Sequence, residues 1–211
     1  MQKLIDYQDK AIWYGSVFRF PAKYPYEDVV DFMVVDSAGE FLIYVSTGSN
    51  SGENVLCLPA QAMCKDVMAI DTKWMIENWQ NIYPKCVVED VYIIPIGYPV
   101  PSIDNLQKLI DYQEKAIYRG AVLRFSGTWP YEKIVDYMII DMEGQLFTCV
   151  SSGYKCGAIY SIFPQEGYCA DRYAIDTKWL IENWNKWIYL DCAVEDVYIL
   201  PKGYPEPSLE L

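Results

Sequence analysis

Eleven residues, AIDTKWMIENW at 69–79, return at 174–184 as AIDTKWLIENW, with only Met75 exchanged for Leu180. The recurrence extends well beyond them. QKLIDYQDKAIWYGSVFRF from Gln2 aligns with QKLIDYQEKAIYRGAVLRF from Gln107 at the same spacing of 105. After the Trp79/Trp184 pair one residue is inserted, so VEDVYIIPIGYPVPS and VEDVYILPKGYPEPS lie 106 apart. A duplication of this extent leaves few folds open. A solenoid needs at least three shorter repeats, so each copy of about 100 residues must build a core of its own. GYPVPSIDN, after the first copy, corresponds to GYPEPSLEL at the end of the second, and its prolines forbid regular structure there. Two domains are expected, 1–102 and 103–211.

Each copy reads as an α+β unit, an antiparallel sheet or partly open barrel packed with one main helix. SVFRF and AVLRF alternate apolar residues with Arg19 or Arg124, the period of a strand with one wet face. VVDFMVVDSAGEFLIYVS reads as a β-hairpin in which Gly39, matched by Gly144, supplies a left-handed turn position. VEDVYIIP reads as a last strand stopped by Pro95, as Pro201 stops its counterpart. The repeated stretch is a helix: Asp71 and Asp176 are N-caps, Met75, Ile76 and Trp79 form one apolar face, and Lys73 and Glu77 pair in solvent. Core packing accounts for it, and an aromatic ligand site at Trp74 and Trp79 is the sharper alternative. KLIDYQDKAI fits a short helix better than a strand, although Ile5, Tyr7 and the Gly15 ending also suit a strand.

The chain contains no His, which removes Ser-His-Asp and Cys-His nucleophilic sites, His general bases and His-rich zinc sites together. With 29 acidic against 17 basic residues the net charge is −12, a poor match to nucleic acid or an anionic membrane. Asp6 and Asp9 interrupt any signal-peptide core, and no apolar run approaches a membrane span, so a cytoplasmic protein is expected. The seven Cys form no CxxC, and three of them, Cys57, Cys149 and Cys156, have no counterpart in the other copy, so reduced and mostly buried thiols are expected.

Ten acidic positions are duplicated, among them Glu27/Glu132, Asp31/Asp136 and Asp36/Asp141. Paired carboxylates for acid-base work or a hard cation need more than closeness in sequence, and no calcium-type loop or phosphate-binding glycine loop is present. No cofactor, metal ligand or catalytic residue is assigned. The copies diverge most where GSNSGENVLCLPAQAMC faces GYKCGAIYSIFPQEGYC, with only the glycines, one Pro and one Cys retained. That pattern fits a surface loop and edge strand under little packing constraint, and equally a partner-facing surface anchored by Tyr154, Tyr160 and Tyr168.

The second copy, through LIDYQEKAIYRGAVLRF, SSGYKCGAIYSIFPQEG and IDTKWLIENWNKWIYLDCAVEDVY, resembles a family of small immunity proteins encoded beside bacterial polymorphic toxins. The first copy is similar at TKWMIENW and CVVEDVY but has GSNSG where the second has GYKCG. The resemblance implies a cytosolic inhibitor that binds a cognate toxin domain, and the acidic surface suits a basic target such as a nuclease; the oligomeric state is left open, with a monomer favoured. The expected contact residues are Tyr154, Lys155, Tyr160, Glu166 and Tyr168 with Glu132 and Asp136, one strong site supported by the other domain. An enzyme using carboxylates or a Cys at the domain interface, and a nonenzymatic acidic scaffold or regulator, are the alternatives.

Overall fold

The computed structural model describes residues 1–99, 102–104, 106–170 and 173–209. The first half contributes strands β1 (Gln2–Lys3), β2 (Ala11–Ile12), β3 (Val17–Pro21), β4 (Val29–Ser37), β5 (Glu40–Val45), β6 (Asn54–Cys57), β7 (Ile70–Asp71), helix α1 (Thr72–Ile82) and β8 (Tyr92–Ile94). The second repeats the series as β9 (Gln107–Lys108), β10 (Ala116–Tyr118), β11 (Val122–Ser126), β12 (Ile134–Met142), β13 (Gln145–Val150), β14 (Ile159–Ile162), β15 (Ala174–Asp176), α2 (Thr177–Trp187) and β16 (Tyr198–Leu200). Each half forms one open six-stranded antiparallel sheet, ordered β1-β8-β3-β4-β5-β6 and β14-β13-β12-β11-β16-β9. A two-stranded pair, β2 with β7 or β10 with β15, leads into each helix. The α+β expectation holds, and the sheets are not closed into barrels.

Local chemistry sets these elements as expected. Trp74 N donates to Asp71 Oδ1 and Trp179 N to Asp176 Oδ1, each at 2.8 Å, so both N-caps form. Met75 and Trp79, and Leu180 and Trp184, are fully buried beneath their sheets, while Lys73 and Glu77 remain in solvent. The helix face is core, and Trp79 is not a ligand platform. Both hairpins turn on two residues of positive φ, Ala38-Gly39 and Glu143-Gly144. Gly39 N and Gly144 N donate to Asp36 Oδ1 and Asp141 Oδ1, which places one duplicated acid pair in a structural role.

Two local expectations are corrected. KLIDYQDKAI forms the end of β1, a single 3-10 turn over Leu4–Asp6 and then β2, because its backbone pairs with the last strand and with the pre-helix strand instead of with itself along a helix. VEDVYIIP opens with a 3-10 turn over Val88–Asp90, and only Tyr92–Ile94 is strand.

The larger correction concerns the wet face. Along β4, Val30, Phe32 and Val34 pack in the core containing Trp79, whereas Met33 and Val35 enter a third apolar cluster. That cluster also holds Val122, Met138, Ile140 and Phe147 from the other half. The two sheets therefore pack face to face with a helix outside each, and the residues next to Arg19 and Arg124 are covered by the opposite half. Burial on both faces explains why β4 and β12 read as nearly continuous apolar runs. The contact is reciprocal. Asp36 N donates to Gly157 O and Asp141 N to Gly52 O, both at 2.9 Å, across a pseudo-two-fold axis.

Candidate functional site

The polar centre of the molecule lies between the sheets and is written twice. Arg19 meets Asp31 through Nε at 2.8 Å and Nη2 at 2.9 Å, and Arg124 meets Asp136 at 2.7 and 2.8 Å. Tyr98 and Tyr204 donate their hydroxyls to Asp31 Oδ2 and Asp136 Oδ2 at 2.7 Å, and their rings lie 4.5 Å apart. The segments after β8 and β16 run across to the opposite half. Arg124 Nη1 donates to Ser102 O, and Arg19 Nη1 to Ser208 O. A cleft of about 490 Å³ opens beside both arginines and both tyrosines. Burial, reinforced by the adjacent carboxylate, lifts both phenols well above their ordinary value, so they stay protonated. Each arginine and each tyrosine of this network is hydrogen-bonded to the aspartate of its own half, and the arginines tie it to the segment that crosses from the other half.

The sequence-derived contact residues fall into three environments. Asp136 is fully buried in the tie just described and presents nothing to a partner, a correction that follows from the covered sheet face. Tyr154, Lys155 and Glu132 meet at the seam between the halves: Tyr154 is exposed, the Lys155 ammonium lies 5.3 Å over its ring, and Glu132 Oε1 accepts from Tyr154 N. Tyr160, Glu166 and Tyr168 lie outward on the edge strand β14 and the 3-10 turn Gln165–Gly167 that follows. Tyr160 stacks in an aromatic group with Tyr131, Tyr137 and Tyr189, and Tyr168 borders an outer cleft of about 740 Å³ with Trp187. Tyr131 and Glu132, adjacent in sequence, join the second and third environments.

The duplicated carboxylates do not pair for chemistry. Glu27 Oε1 accepts from Ser49 N at 2.6 Å, as Glu132 does from Tyr154 N, so each caps a loop while the neighbouring Asp serves its arginine. Gly48 and Gly153 suit that position because their φ values of +75 and +73 lie in the left-handed region that favours glycine. Of the retained glycines, Gly52 and Gly157 do not mark a loose surface loop: the backbone of the opposite half stands where their Cβ would be. Burial raises the Cys86 thiol to about 11 and the Cys156 thiol to about 12, which holds both as thiols. Cys86, Cys149, Cys156 and Cys192 are buried, and among the described residues no group of three or more Cys, Asp and Glu could hold a metal ion.

Sequence reasoning missed the first-half residues at the seam. Trp13, Tyr14 and Ile96 line a groove of about 430 Å³ with Tyr154 and Cys156. The signal was present in the alignment of the copies, where Trp13 faces Tyr118, Tyr14 faces Arg119 and Ile96 faces Lys202.

The model of one protein family, described as Immunity protein 45, matches residues 4–93 and again 109–199. The chain belongs to that family. The two matches take in both sheets and both helices, so the chain is a tandem Immunity protein 45 pair. A search of the curated proteins and one of the solved structures found no match. Among the described residues no helix is long and apolar enough to cross a membrane.

Proposed function

We propose that this tandem Immunity protein 45 chain is a cytoplasmic, nonenzymatic inhibitor that binds a cognate toxin domain as a stoichiometric complex. The observation that carries the reading is the double family match. Two features support it. The buried Arg, Asp and Tyr groups are spent on one another, so what remains to act is the surface, and that surface is strongly acidic. A net charge of −12 favours a basic target, with a nuclease as the leading candidate, because opposite charge accelerates encounter and an acidic inhibitor can occupy a groove meant for phosphate.

The proposed contact surface is the divergent region of the second half: Tyr154, Lys155, Tyr160, Glu166 and Tyr168, with Glu132 behind them. Tyr154 and Tyr160 are exposed and Tyr168 half-buried, and an exposed tyrosine combines a large apolar ring with a hydrogen-bonding tip, the usual composition of an interface anchor. The test is co-expression of the full chain with each toxin domain encoded in the same genome. Growth restored against one of them, with a one-to-one complex by native mass, is the expected result. Growth restored against none of them defeats the proposal.

A further inference from the structure

The pseudo-two-fold axis gives the molecule two seams, and the chain has treated them differently. At one, Arg119 Nη2 reaches Glu53 Oε2 of the first half at 3.4 Å, while Arg119 Nη1 lies 3.9 Å from Asp141. The Tyr173 ring stacks 5.3 Å from the same guanidinium. That seam is latched by charge. At the other, Tyr14 stands for Arg119 and Ala158 for Glu53, so the latch has no chemical counterpart.

The open seam carries instead three large apolar side chains in solvent: Trp13 is 45% exposed, Ile96 75% and Tyr154 74%. Their equivalents at the latched seam are Tyr118, itself 52% exposed, with Lys202 and Ser49, and these border a cleft of about 730 Å³ in which only one of the three positions is apolar. The latched seam is an internal control. Its half folds to the same sheet and helix with Lys and Ser at two of the three positions, so folding does not require apolar groups there. A cluster drawn from two halves and rimming a groove of about 430 Å³ has the form of an interface centre.

We infer, resting on the immunity reading, that the open seam is the toxin-docking groove, built jointly by Trp13, Tyr14 and Ile96 of the first half and Tyr154 of the second. Its occupant is an apolar side chain projecting from a basic toxin domain. Charge selects that partner, since a chain of net charge −12 draws in a basic polypeptide and resists a second copy of itself. Duplication thus yields one site and not two, because the ion-paired seam keeps only Tyr118 of the three apolar anchors and has Lys202 and Ser49 in place of Ile96 and Tyr154.

The probe is the toxin domain whose growth arrest the full chain relieves. Ile96→Asp and Tyr154→Asp each weaken its binding at least ~10-fold, whereas the mirror substitutions Lys202→Asp and Ser49→Asp change it by less than about 3-fold. All four positions are exposed, and an unchanged melting temperature verifies the fold of each variant. Full affinity in Ile96→Asp and Tyr154→Asp places docking elsewhere and overturns the inference while immunity stands. Relief of no toxin domain by the unmodified chain removes both. A free chain that is dimeric, and that Ile96→Asp makes monomeric, identifies the occupant as a second copy and also overturns it.

Discussion

Arg124 grips Asp136 through two parallel hydrogen bonds of 2.7 and 2.8 Å and extends its remaining nitrogen to Ser102 O, on the segment leaving the other half. One side chain thereby ties a sheet to the segment that trails from the other half. Removing only one partner leaves a charge in a site built for a pair. Asp136→Ala is expected to cost about 3–5 kcal/mol, because the desolvated guanidinium loses its counter-charge. Replacing both residues, as Arg124→Met with Asp136→Leu, recovers more than half of that loss. Urea unfolding of the three variants measures both numbers, and a double variant no better than Asp136→Ala refutes the account.

Gly157 sits against Gly15 with φ +84, where a Cβ would overlap Gly15 N and Val34 O. Gly157→Ala therefore combines a left-handed backbone penalty with a clash against main chain that cannot rotate away. A loss of about 3 kcal/mol is expected. Gly39→Ala, also left-handed at φ +94 but facing only the flexible end of Met68, separates the terms and loses less. Equal losses in the two variants would show that sheet-to-sheet contact contributes nothing at Gly157.

The two core tryptophans differ in one bond. Trp184 Nε1 donates to Cys192 O at 2.9 Å, whereas Trp79 Nε1 is buried with no hydrogen-bond partner among the described residues. In both halves the side chain after the tryptophan reaches the same carbonyl, Gln80 Nε2 to Cys86 O at 2.7 Å and Asn185 Nδ2 to Cys192 O at 2.8 Å, so the indole bond is what distinguishes them. Phenylalanine removes similar volume at either site but discards a satisfied donor only at Trp184. Trp184→Phe is expected to cost about 1 kcal/mol more than Trp79→Phe, and the reverse order in denaturant titration would contradict the assignment.

Burial works to raise the Glu27 carboxyl, but hydrogen bonds from Ser49 N and from its own backbone outweigh it and hold the group below its ordinary value. A carboxyl lowered on folding stabilises the protein above its unfolded pKa, and that contribution fades as pH falls through the folded value. Glu27→Gln should therefore lose about 1 kcal/mol at neutral pH, a difference that closes on acidification below about pH 4. Melting temperatures of both proteins at neutral and acid pH decide it, and a gap independent of pH would exclude the loop-capping carboxylate as its source.

The parts of this fold that were legible in the sequence are those fixed by neighbours in the chain. Asp71 and Asp176 cap helices through the amide three residues on, and Gly39 and Gly144 turn hairpins, so a short window contains cause and effect. The pairing of the sheets was hidden because it is non-local. The alternation at Arg19 states that one face of β3 differs from the other, but what covers that face is decided by Val122, Met138 and Ile140, residues of the other copy. Gly52 and Gly157 were read as loop glycines for the same reason, since the backbone they admit comes from the opposite half. The groove was partly visible: Tyr154 stood out as an exchanged residue, whereas Trp13 and Ile96 sat in well-matched stretches where a few differences carry little weight.

The crossing segments that bring Ser102 to Arg124 and Ser208 to Arg19 also have a genetic consequence. Two identical chains meeting on this face would be held to symmetry, with every mutation appearing on both sides of the axis at once. Written in one reading frame, the two sides can be altered one at a time. A substitution at one seam need not appear at the other, so one seam can change its surface while its counterpart keeps the two halves joined.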